Sequence, residues 1–228
     1  MTNSIKHVFF DLDHTLWDFD KNSGLTFEKI FNLHAIDIVL EDFLNVYEPI
    51  NQHYWKMYRE ERISKANLRF GRLKDAFNAV GKRIDDDLID QLSEDYISHL
   101  SHFNYVFDGT VEILDYLKVK YQLHIITNGF EEVQERKMQS SRIRHYFKTV
   151  TNSEMAGVKK PNPKIFNLAL HQANAQPHES IMIGDSLEAD IQGALSVGME
   201  AILFDVTKTH SDSFEKRIEH LMDLNRFL

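Results

Sequence analysis

The stretch His7 to Leu16, H-V-F-F-D-L-D-H-T-L, is a short apolar run that ends in two aspartates one residue apart and a threonine. An apolar run bounded by polar residues predicts a buried strand, and Asp11 and Asp13 fall at its end. In a parallel α/β sheet the carboxyl ends of the strands are where ligands bind, so both carboxylates arrive at a favoured place for chemistry.

Beyond this strand, residues 20 to 105 carry helical periodicities and no good strand candidate. Leu25, Ile30, Phe31 and Leu33 recur at roughly helical spacing, and Phe43, Val46, Tyr47, Ile50, Tyr54, Trp55 and Tyr58 predict a second helix. Leu68, Leu73, Phe77 and Val80 predict a third, ended by Gly81, and Leu88, Leu92, Tyr96 and Leu100 a fourth. From about Val106 the pattern becomes alternating: helix 110–119, strand 123–127, helices over 131–147, a short strand near Thr149, helix 163–173, strand 180–184, helix 187–197 and strand 200–204. Strands joined by helices of this length imply crossovers and a mostly parallel sheet, which the first strand should join. The expected fold class is therefore α/β. A parallel-sheet, Rossmann-like core of residues 1–18 and 106–228 carries an all-helical cap domain, 19–105, expected to stand over the strand ends.

Composition narrows the function. A chain of 228 residues can hold one sizeable core with an insert. The formal net charge of -9 argues against a nucleic-acid polymer as partner, because a phosphate backbone is bound by clustered Lys and Arg. The lack of cysteine rules out disulfides, thiolate metal sites and a cysteine nucleophile, and suits a reducing cytoplasm. The N-terminal M-T-N-S-I-K runs straight into the first strand without a signal-peptide pattern, and no segment has the apolar length to span a bilayer. The expectation is a cytoplasmic protein with no membrane partner, a monomer or small homo-oligomer.

Other strand ends add to the first. One ends in Thr127-Asn128-Gly129, another in Gly184-Asp185 followed by Ser186 and Asp190, and Lys160 precedes Pro161 ahead of a helix. This inventory suits Mg²⁺-assisted phosphoryl transfer. A carboxylate nucleophile approaches an anionic phosphoryl group only when a cation offsets the repulsion, and Asp11 and Asp185 can ligate one. Asp13, just beyond the strand, is placed to protonate the departing oxygen and later to accept a proton from water. Thr127, Asn128, Gly129 and Lys160 are the candidate donors to the phosphoryl oxygens. A calcium loop counted from Asp11 would need Gly at its sixth place and Glu at its twelfth, where the chain has Leu16 and Asn22.

The ordered set Asp11-Leu12-Asp13-His14-Thr15, Thr127-Asn128-Gly129, Lys160-Pro161 and Gly184-Asp185 with Asp190 resembles the four signature motifs of the haloacid dehalogenase superfamily. The resemblance spans core and insert. It implies that Asp11 is a nucleophile forming an aspartyl-phosphate, that Asp13 is the general acid and base, and that Thr127 and Lys160 hold the phosphoryl group. It further implies Mg²⁺ on Asp11, the Asp13 carbonyl and Asp185, with Ser186 and Asp190 supporting that shell. The insert resembles the family's first-type cap, which selects substrate. Asp18-Phe19-Asp20, the residues Asn51, Trp55 and Tyr58, the pair Arg69 and Arg72, and Ile125 to Phe130 are similar to the branch hydrolysing pyrimidine and non-canonical nucleoside 5′-monophosphates. The substrate-selecting cap residues would then be Asn51, Trp55, Arg69 and Arg72. Two departures stand out: Leu73 where that branch favours Phe, and His14 where the superfamily often has Gly. The expected partner is a small phosphorylated metabolite, a nucleoside monophosphate first and a sugar phosphate as the alternative. Phosphonatase, phosphomutase and dehalogenase are further rivals within the family, and a phosphate-sensing or phospho-receiver module is the rival outside enzymes.

Overall fold

The computed structural model describes residues 5–206, 208 and 214–228, so Met1 to Ser4 of the N-terminal run lie outside the described residues. The chain divides into two compact units, Met1–Phe19 with Asn104–Leu228, and Asp20–Phe103.

The first unit is built on a six-stranded sheet in the order β3-β2-β1-β4-β5-β6, every pairing parallel. Its strands are β1 (His7–Phe10), β2 (Gln122–Thr127), β3 (Phe147–Asn152), β4 (Ser180–Gly184), β5 (Glu200–Phe204) and β6 (Arg217–Ile218). All four residues of β1 and all five of β4 are buried, as strands covered on both faces require. β1 is central: Phe10 stands in register with Ile125 on one side and Ile183 on the other. The chain runs from β1 outward through β2 and β3, then returns to the other side of β1 for β4 and β5. Strand order thus reverses between β1 and β4, the crevice in which open α/β sheets place their ligands. Helices of this unit include α5 (Thr110–Leu117), α6 (Glu131–Ser140), α7 (Ser153–Ala156), α8 (Pro163–Ala173) and α9 (Gly193–Ser196). Phe9, Ile126, Ile165, Phe166, Met182 and Leu203 share one hydrophobic core under the sheet.

Some expectations shift. Phe147 opens β3 instead of closing a helix, because Tyr146 already ends a single 3-10 turn. The helix expected over 187–197 starts as a π-helical stretch, Leu187–Gln192, and becomes α-helical only for Gly193–Ser196. The two-residue β6 and the one-turn α7 are too short to leave a periodicity.

The second unit comprises most of α1 (Phe19–Leu33), with α2 (Leu40–Arg59), α3 (Lys65–Ala79) and α4 (Asp86–Leu100). Its core is aromatic: the Phe27 ring lies within 4.6–5.5 Å of Phe31, Phe43, Tyr47 and Tyr96. The buried stripe of α1 is therefore centred on Phe27, Ile30 and Phe31, while Leu33, expected in it, is exposed. Ser64 opens α3 by accepting from Asn67 N, and Gly81 ends it at φ +73°. There Gly81 N bonds Asn78 O and Lys82 N bonds Phe77 O, a Schellman closure that needs a left-handed residue.

The connectors leading to and from the insert pair with each other inside the first unit. Trp17 bridges antiparallel to Val106, Asp18 N donates to Tyr105 O and Phe107 N to Leu16 O. Among the described residues no helix is long and apolar enough to cross a membrane.

Candidate active site

Asp11 follows β1 directly, and its amide still bonds Ile183 O at 2.9 Å, so the ladder with β4 fixes where the side chain starts. Lys160 reaches it from the loop before α8. That lysine is 2% exposed, and its Nζ donates to Asp11 Oδ1 and to Ile126 O at 2.7 Å each and lies 2.7 Å from Asp190 Oδ1. Burial opposes its charge, but Asp11 and Asp190 outweigh that and raise its pKa. Asn128 grips the Lys160 backbone from both sides: its Oδ1 accepts from Lys160 N at 2.7 Å and its Nδ2 donates to Lys160 O at 3.1 Å. The Asn128 side chain is thus committed to placing the lysine.

On the other flank of β1, Asp185 leaves the end of β4 and accepts from Thr15 Oγ1 at 3.3 Å. Ser186 caps the π-helical stretch by accepting from Ala189 N, and its own amide donates to Asp190 Oδ2 at 3.0 Å. Asp190 is turned back so far that a Cβ on Gly184 would fall 2.3 Å from its Oδ2. The wider turn and the glycine together admit a third carboxylate. Asp11, Asp185 and Asp190 each offer an oxygen, all within 4.8 Å of one another. Burial, then the neighbouring acids, push Asp11 well above the usual carboxylate range, against the pull of Lys160, and burial with Asp190 pushes Asp185 up to about 6. Three carboxyl groups thus share this place with the Lys160 ammonium. Oxygen donors that close together suit a hard dication such as Mg²⁺.

Asp13 has different company. Lys137 Nζ donates to its Oδ1 at 2.6 Å and Gln134 Nε2 to its Oδ2 at 2.9 Å. Lys137 is itself buried, its ammonium 4.2 Å from the Trp17 ring centre and 5.2 Å from that of Phe19. The same Gln134 nitrogen donates to Thr127 Oγ1 at 2.7 Å, and Gly129 N donates to that oxygen at 3.1 Å. Gln134 and Lys137 are absent from the sequence expectation. The available signal is that Val133, Gln134, Lys137 and Met138 form the buried stripe of α6, where two places belong to polar residues. His14 takes φ +60°, the left-handed conformation that glycine adopts without strain, at the position where the superfamily often has Gly.

In the helical unit Arg72 is 2% exposed, donates to Asn51 Oδ1 at 2.8 Å and lies 5.0 Å over the Tyr96 ring. Asn51 is buried with it. Arg69 pairs with Glu94 at 3.1 Å, and Trp55 meets the Tyr58 ring edge-on at 5.7 Å. Arg69 and Arg72 therefore have separate partners.

Clustered carboxylates and a fixed lysine at the switch point of a parallel sheet suit a phosphatase built on an α/β fold. The chain belongs to the haloacid dehalogenase-like hydrolase family, whose model matches residues 8–204. It is 33% identical over 193 residues to the pyrimidine 5′-nucleotidase YjjG of Escherichia coli, covering 84% of this chain and 82% of that one. It is 30% identical over 221 residues to the glyceraldehyde 3-phosphate phosphatase of Methanothermobacter thermautotrophicus, covering 93% and 92%. Among solved structures, YfnB of Bacillus subtilis bound to magnesium superposes with a TM-score of 0.86 at 25% identity, covering 99% of both chains.

Proposed function

We propose that this protein is a Mg²⁺-dependent phosphomonoesterase working through an aspartyl-phosphate, with nucleoside 5′-monophosphates as its substrate class. The observation that carries the reading is the cluster of Asp11, Asp185 and Asp190, two of which, Asp11 and Asp190, pair with Lys160 Nζ. In it the Asp11 carboxylate attacks phosphorus as the bond to the ester oxygen breaks, and Asp13 gives that oxygen a proton. Water then attacks the phosphorus, Asp13 takes its proton, and Asp11 is released with inorganic phosphate. Lys160 and the Thr127 hydroxyl neutralise the phosphoryl oxygens. Asp11, the Asp13 carbonyl and Asp185 would hold Mg²⁺, with Ser186 and Asp190 behind them, and the ion supplies charge neutralisation at the phosphoryl group. Asn51, Trp55, Arg69 and Arg72 would shape substrate choice from the helical unit, Arg72 by ordering Asn51. The lack of cysteine accords with a cytoplasmic setting.

The nucleotide class rests on similarity to YjjG; similarity to the glyceraldehyde 3-phosphate phosphatases favours a sugar-phosphate reading as second. A phosphate-release screen with Mg²⁺ over nucleoside monophosphates and sugar phosphates decides between them. Highest kcat/KM on a nucleotide is expected; negligible release from every nucleotide beside turnover of a sugar phosphate would overturn the narrower claim. Asp11→Asn is expected to abolish release on all substrates, and metal-dependent turnover by that variant would remove Asp11 as nucleophile.

A further inference from the structure

We propose that Gln134 is a positioning residue that sets the direction of the Thr127 hydroxyl, turning it into a donor aimed away from the protein's own groups. This rests on the reading above in which Thr127 holds a phosphoryl oxygen. A hydroxyl has one hydrogen and two acceptor positions. Both acceptor positions of Thr127 Oγ1 are filled, by Gln134 Nε2 at 2.7 Å and Gly129 N at 3.1 Å. Its hydrogen is then the one bonding capacity left. While Asp13 is ionised the amide does not turn over, because its nitrogen also serves Asp13 Oδ2 at 2.9 Å, and the amide oxygen there would face a carboxylate already paired with Lys137. Polarity therefore passes from the Lys137–Asp13 ion pair through one side-chain nitrogen to the hydroxyl.

Gly129 makes room for this arrangement. A Cβ at that position would lie 2.4 Å from the Gln134 amide nitrogen, so the glycine leaves the space the glutamine amide occupies. Gln134 is buried and its Oε1 has no hydrogen-bond partner among the described residues, a cost that packing alone would not favour over an apolar side chain.

The test is the inhibition constant of inorganic phosphate with Mg²⁺, measured for the full-length protein as wild type, Gln134→Met, Thr127→Val and the double variant. Phosphate probes the phosphoryl donors without a leaving group. Gln134→Met is expected to weaken inhibition about tenfold, the scale of one misdirected charge-assisted hydrogen bond. In the Thr127→Val background the same change should cost less than about twofold, since no hydroxyl remains to be directed. Gly129→Ala, which displaces the amide without removing it, should reproduce the Gln134→Met loss and serves if that variant folds poorly. Equal losses in both backgrounds, or no loss in Gln134→Met and Gly129→Ala, would overturn the role of Gln134 while leaving the phosphatase reading intact. An unchanged constant in Thr127→Val would instead overturn the placement of Thr127 on the phosphoryl group.

Discussion

Asp11 and Asp13 are two residues apart and live in different electrostatic surroundings. Asp11 shares a buried cluster with two other carboxylates and Lys160, whereas Asp13 is partly exposed and has both oxygens held by Gln134 and Lys137. Separate environments let neighbouring carboxylates take separate roles. Asp13→Asn is expected to lower kcat/KM on an alkyl phosphate by roughly 10² to 10⁴, the usual worth of general acid help. On p-nitrophenyl phosphate, whose leaving group departs unprotonated, the loss should be far smaller. Equal losses on the two substrates would assign Asp13 a structural part. Asp11, Asp13, Thr127 and Asp185 are legible in the sequence because they follow apolar runs and so fall at strand ends, whereas Lys160 is singled out by the Lys-Pro pairing and the family resemblance. Gln134 and Lys137 are not legible, since Gln and Lys in a helix with the sequence E-E-V-Q-E-R-K-M-Q-S look like a solvated face. Only their alignment with Val133 and Met138 separates them from the exposed polar positions.

At the scale of the element, the turn after β4 shows how local backbone sets the chemistry. Ile191 N and Asp190 N both reach Ser186 O, at 3.2 and 2.9 Å, which widens the first turn and carries Asp190 over Gly184. Gly184→Ala would force a methyl against the Asp190 carboxylate. The expected result is a loss in kcat of about 10²-fold, the scale for a catalytic group moved by an ångström. Steady-state kinetics beside a thermal melt would check it; a melt that falls with kcat unchanged would mean the turn serves stability alone. This turn was hidden in the sequence, because residues 187–197 carry an ordinary helical periodicity and a π-helical start leaves no compositional mark. The helix ends were legible where a backbone rule applies, as at Gly81. The buried face of α1 is not legible at Leu33, because one exposed leucine at helical spacing looks the same as a buried one.

Over the whole molecule, two linked equilibria are open to measurement. As the proposed occupant of the carboxylate cluster, Mg²⁺ would stabilise the folded state by mass action, about 2.7 kcal/mol at a hundredfold excess over Kd. A rise in Tm with added Mg²⁺ is expected, reversed by a chelator together with activity, and absent in Asp185→Asn. The second equilibrium is protonation inside the sheet. His124 is buried between Thr149 Oγ1 at 2.8 Å, His7 Nδ1 at 3.1 Å and the Phe9 ring, with Glu179 and Lys6 beyond His7. Burial, then His7, lowers its pKa from 6.5 to about 4. Because the unfolded chain takes up that proton first, the contribution is fully present above about pH 6.5 and is lost as pH falls toward 4. The loss is on the order of 3 kcal/mol. Chemical denaturation across this range should show the decline in wild type and a flatter profile in His124→Gln.

The paired connectors give the helical unit a particular standing. The chain leaves through Trp17 and Asp18 and comes back through Tyr105 and Val106, hydrogen-bonded to each other within the first unit. To the sheet, everything between is a loop whose ends are already tied, and closing such a loop costs only a logarithm of its length. The insert can therefore change length, sequence or helix number over evolutionary time with little tax on the fold that holds Asp11. The residues proposed to choose the substrate and those proposed to carry the chemistry would then vary on separate stretches of one chain.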